Sequence, residues 1–156
     1  MSRITRLHYQ DQDSAQTLAE ALAEYYAGNA GVVSRPDTLP DESKVLFRNH
    51  DVCHVIFGLD TTMEDETIAD TRTLLSCDVG FTRYANYLRS DTQARALFKE
   101  AGYLKVGWSV LKALPRIGRA IWAAIVMKRK WPWTAPAAFQ ARPISDLRRE
   151  FGIHVF

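Results

Sequence analysis

Apolar residues recur along this chain at helical spacing, and runs of two-residue alternation are scarce. Leu18, Leu22 and Tyr25 share one face of a segment that Asp13 or Ser14 can cap, which predicts a helix through about Tyr26. Two glycines and two prolines between Gly28 and Pro40 predict a loop. A second helix is expected from Asp41 or Ser43 to Gly58. Thr61, with Glu64 three residues later, forms a capping box for a third, continuing in pieces to about Leu88. Ser90 and Asp91 open another long helical stretch that Gly107 and Pro115 should bend. Trp131-Pro132-Trp133 through Pro136 breaks the pattern, and a last short helix runs from Ser145 to Phe151 and stops at Gly152. The fold class expected is all-α: one compact multi-helix domain over residues 1–156, without internal repeats.

Composition narrows the function classes. A chain of 156 residues with 47% hydrophobic and 24% charged residues can bury a real core, which excludes disorder. A net charge of +2 is too weak to suggest a nucleic-acid partner. Acids dominate the first two thirds, while bases crowd into Lys99 to Lys130 and Arg142 to Arg149. Cys53 and Cys77 are the only cysteines, too few for a disulfide framework, so a reducing, cytoplasmic setting is expected. The N-terminal residues meet charge before any signal-peptide core. The longest apolar run, Ile117 to Met127, is short and carries Arg119, so the protein should be soluble or lie on a membrane surface.

The candidate chemistry lies in Asn49-His50-Asp51-Val52-Cys53-His54-Val55-Ile56-Phe57-Gly58. At about 100° per residue, Leu46, His50, Cys53, His54 and Phe57 share one arc, with Phe47 at its edge. His50 and His54 are one turn apart and project the same way, as two ligands of one ion require. Asp51 stands at the flank of that arc. Glu66, beyond the Gly58 turn, comes back alongside if the next helix reverses, and it shares its face with Asp70 and Thr73, then Leu74, Cys77 and Phe81. Two imidazoles and two carboxylates suit Zn²⁺ at about 2.0–2.2 Å, with Co²⁺, Mn²⁺, Fe²⁺ or Mg²⁺ as other choices, and a cation would relieve the cost of burying them. The metal ligands expected are therefore His50, Asp51, His54 and Glu66, in a site between two consecutive helices. The competing explanations are a core histidine bonded to a carbonyl, and acids that serve a helix N-terminus. Cys53 fits a small core hydrophobe, and His8 and His154 fit the surface. A metal phosphohydrolase is less favoured, because only His8 is available as a further upstream histidine.

His50-Asp51-x-x-His54 followed by Glu66 resembles the signature of the Coq-four family of ubiquinone (coenzyme Q) biosynthesis. Gly58-Leu59-Asp60-Thr61-Thr62-Met63-Glu64-Asp65-Glu66 is similar to that family's Gly-x-x-Thr-x-x-x-x-Glu connection, and Asp146 to Ile153 to its Leu-Arg-x-Glu-Leu-Gly-Ile close. The resemblance covers most of Lys44 to Ile153. It implies a short bacterial relative that is helical, metal-binding and peripheral to the inner face of the cell membrane. The implied activity is C1 decarboxylation of a polyprenylated hydroxybenzoate by a metal-dependent lyase or oxidative decarboxylase. Asp51 or Glu66 would then be the catalytic base, and the spacing does not choose between them. The alternative is a non-catalytic carrier or scaffold for a prenyl lipid or quinone intermediate.

Residues 103–133 combine Trp108, Leu111, Leu114, Ile117, Ile121, Trp122 and Ile125 with Lys105, Lys112, Arg116, Arg119 and Lys128-Arg129-Lys130-Trp131. Bases and tryptophans bordering an apolar helix suit a lipid headgroup region. A core helix with a solvated basic rim, or the interface of a homo-oligomer or quinone-synthesis complex, would use the same residues.

Overall fold

Thr17 and Glu20 begin the first helix reciprocally. The Thr17 hydroxyl accepts from the Glu20 amide, and the Glu20 carboxylate accepts from the Thr17 amide at 2.8 Å. Helix α1 accordingly spans Leu18–Gly28, starting later than an Asp13 or Ser14 cap would place it. The Ser14 hydroxyl is engaged instead with the Gln16 side chain at 3.2 Å. The face expected for α1 is the buried one, since Leu18, Leu22 and Tyr25 all lie in the core.

The structure, a computed structural model, describes residues 6–30, 41–90, 103–135 and 137–156. Among these, α2 covers Asp41–Phe57, α3 Met63–Ser76, α4 Phe81–Ser90, α5 Tyr103–Ile125 and α6 Ile144–Phe151, and no strands occur. The class is all-α. The cap of α3 is Thr62, whose hydroxyl accepts from the Asp65 amide at 3.1 Å. The Thr61–Glu64 box does not form, because the Thr61 hydroxyl bonds the Asn29 side chain at 3.0 Å and ties the α2–α3 turn to the end of α1. The stretch expected to run on to Leu88 divides into α3 and α4 at a turn closed by Gly80, whose φ is 74°. Most of the Gly28–Pro40 loop, the helix start at Asp91 and Pro136 lie outside the described residues. Gly107 and Pro115 both sit within the single element α5.

The core joins α1, α2, α3 and α6 through Leu18, Tyr25, Ile56, Ile68, Leu147 and Phe151. Trp131 closes it from the other side, donating its amide to the Ser76 carbonyl at 2.8 Å and packing its ring on Phe151. Arg148 of α6 is wholly buried, with no carboxylate paired to it among the described residues. Its guanidinium donates to the carbonyls of Ile56 at 2.9 Å, Val55 at 2.8 Å and Tyr9 at 2.6 Å. It thereby satisfies carbonyls at the C-terminal end of α2 that have no amide partner in the helix.

Candidate metal centre

The end of α2 is set by a Schellman turn. The Leu59 amide donates to the His54 carbonyl at 2.8 Å and the Gly58 amide to the Val55 carbonyl at 3.2 Å. Gly58 takes φ 71°, and a Cβ there would lie 2.5 Å from a Val155 methyl, so both backbone and space demand glycine. The chain reverses in five residues, and α3 returns against α2 with its first turn facing His50 and His54.

His50 Nε2, His54 Nε2 and Glu66 Oε2 converge. The Glu66 oxygen lies 3.4 Å from His54 and 4.0 Å from His50, and one ligand atom from each of the three residues fits within 4.8 Å of the others. His54 is fully buried. Its Nδ1 is 3.0 Å from the Asp60 carbonyl, an acceptor only, so Nδ1 carries the hydrogen. Neutral His54 then presents a bare lone pair at Nε2. That atom is buried with no hydrogen-bond partner, and it faces a carboxylate oxygen. Two acceptors facing each other at this range, one of them fully buried, call for a proton or a metal cation between them. The donor set of two imidazole nitrogens and one carboxylate oxygen suits a divalent ion, and the Asp60 carbonyl fixes the His54 ring as an outer-shell partner would.

Burial and the neighbouring charges act on the three residues in opposite directions. Burial opposes a charge on His50, but Asp70, Glu66 and Asp51 together outweigh it and push the imidazole up to about 9. Burial likewise opposes a charge on His54, and Glu66 with Asp51 raises it nonetheless. Burial pushes Glu66 upward, yet His54 and His50 pull it down to about 2.

Asp51, expected as a fourth ligand, stands outside this group of three. It is buried, and its Oδ2 accepts from the Tyr26 hydroxyl at 2.7 Å. Burial raises its carboxyl, against the pull of Tyr26 and both histidines. It acts on the site as a nearby buried charge. Asp70, one turn beyond Glu66, comes within 3.8 Å of His50 Nε2 and accepts a hydrogen bond from Tyr84. Tyr25 stacks on His54 at a centroid distance of 5.5 Å. The spacing from Glu66 marks Asp70 in the sequence, but no local signal marks Tyr25, Tyr26 or Tyr84, which arrive from other helices. Cys53 is buried in the core and His8 and His154 are exposed, as expected.

A second feature flanks α3. Helix α5 packs on α3 through buried Ala113, Ala120 and Ala123, and Arg116 bonds Asp65 at 2.5 Å. Ile117 also packs toward the core, whereas other large residues in the described part of α5 do not. Leu111, Leu114, Ile121, Trp122 and Ile125 are exposed, Ile125 to 75%. Among the described residues, no helix is long and apolar enough to cross a membrane.

No protein-family model, curated protein or solved structure matches this chain.

Proposed function

We propose that this protein binds one divalent metal ion at His50, His54 and Glu66 and works at a membrane surface on a prenylated aromatic acid. The observation that carries the reading is the buried, unpartnered Nε2 of His54 facing the Glu66 carboxylate at 3.4 Å. The finer assignment, C1 decarboxylation of a polyprenylated hydroxybenzoate in ubiquinone synthesis, draws support from the sequence resemblance over His50 to Glu66. It also draws support from the exposed apolar face of α5, which suits a lipid-borne substrate.

When bound, the ion would supply Lewis-acid polarisation of a substrate oxygen. His54 is oriented for it by the Asp60 carbonyl, and His50 by the acidic groups around it. Asp51 is held by Tyr26 inside the fold, whereas the Glu66 side chain is 39% exposed at the edge of the cluster. Of the two carboxylates, Glu66 is therefore the one placed to exchange a proton with a ligand's hydroxyl or carboxyl.

Elemental analysis of the purified protein should find one divalent ion per chain, with zinc the first expectation. His54→Ala should lower metal affinity by more than the roughly 10–100-fold that loss of an outer-shell partner costs. Full occupancy in that variant would refute the site. Mass spectrometry of co-purified lipid, with turnover assays on prenylated hydroxybenzoate, tests the substrate. Tight binding without conversion would instead favour a carrier of the same ligand.

A further inference from the structure

Cys53 and Cys77 are the chain's only cysteines, and the fold brings their sulfurs to 3.7 Å. Cys53 lies in the buried half of α2 next to His54. Cys77 caps the C-terminus of α3, its amide donating to the Thr73 carbonyl at 3.3 Å. A disulfide bond is about 2.05 Å long, so joining the pair requires an approach of under about 2 Å. The surroundings are more than apolar packing. The Arg72 guanidinium, 1% exposed, sits over the Phe57 ring at 4.4 Å and has no acidic partner among the described residues. Its Nε makes no hydrogen bond.

We propose that Cys53 and Cys77 form an oxidisable pair, a modification site that closes to an intramolecular disulfide under a hydroperoxide and pins α2 to the end of α3. The electrons balance in two steps. One thiolate attacks the peroxide, breaking the O–O bond to give a sulfenic acid and hydroxide, which takes up a proton as water. The second thiol then displaces the sulfenic hydroxyl, forming the S–S bond and releasing a second water. The dithiol is oxidised by two electrons and the peroxide is reduced. Both sulfurs are buried, so the peroxide reaches them only when the fold opens locally, and the oxidation should be slow compared with that of an exposed thiol.

The test uses the full chain, folded and treated with EDTA, so that it stands apart from the metal assignment. Protein is incubated with graded hydrogen peroxide, denatured, alkylated and mapped by mass spectrometry. The expected result is the paired loss of both alkylatable thiols, a peptide linking Cys53 to Cys77, and full recovery with dithiothreitol. In Cys77→Ser the reversible loss should disappear. Retention of both thiols at peroxide concentrations that oxidise the unfolded chain would overturn the proposal. So would sulfinic acid on a single cysteine, or covalent dimers, as the main product.

Discussion

His50 and Glu66 hold opposite charges in the metal-free protein, and their titrations set its response to pH. His50 keeps its proton up to about 9 against an ordinary 6.5, so the stability it supplies is complete below 6.5 and is lost as pH rises through about 9. Glu66 runs the other way. Lowered to about 2 from 4.5, its contribution is complete above 4.5 and disappears as pH falls through about 2. Thermal unfolding of the metal-free chain should therefore give its highest contribution from this pair between 4.5 and 6.5, with a falling midpoint toward about 9. Metal ions displace the imidazole protons, so measured affinity should climb over the interval from 6.5 to about 9. A flat calorimetric profile there would contradict a charged His50. At this scale the sequence was informative about the two histidines and Glu66, because one-turn spacing and a turn glycine are local facts. Asp51 was not assignable in the same way, since its bond to Tyr26 spans 25 residues of chain.

Helix ends govern the next scale. Gly58→Ala puts a side chain into the left-handed region and against Val155, and should destabilise the fold by on the order of 2 kcal/mol. Urea denaturation with an unchanged m-value is the measurement, and a loss below about 0.5 kcal/mol would mean that the turn relaxes freely. Arg148→Ala should cost about 3 kcal/mol in the same assay, since the Ile56 and Tyr9 carbonyls lose their donor at once. The helices themselves were legible from periodicity, yet two of their starts were displaced. Thr17 prevailed over Asp13 and Ser14 because Glu20 answers it, and Thr62 over Thr61 because Asn29 engages the Thr61 hydroxyl. Helix α2 departs from a one-sided stripe as well, with Asp51 to Leu59 buried all round by α1, α3 and the C-terminal segment.

For the whole molecule, the inverted packing of α5 has a measurable consequence. Alanines face α3 while Trp122 and Ile125 face outward, beside Lys112, Arg119 and the Lys128-Arg129-Lys130 run. Vesicles rich in phosphatidylglycerol should bind the protein better than phosphatidylcholine vesicles, and salt should weaken the binding. Ile125→Glu or Trp122→Glu should reduce it roughly tenfold or more. Equal affinity of wild type and variants would point that face to a protein partner. Spacing and composition alone determined that this chain would be helical, where most helices would fall, and that His50 and His54 stood one turn apart on a shared face, because these follow from the 3.6-residue repeat and short-range capping. Only the tertiary structure decided that Asp51 would answer to Tyr26, that Asp70 would approach His50, and that α5 would bury Ala113, Ala120 and Ala123 while exposing Trp122 and Ile125. Periodicity locates a face of a helix, but which face meets the core depends on neighbours that are distant in the chain.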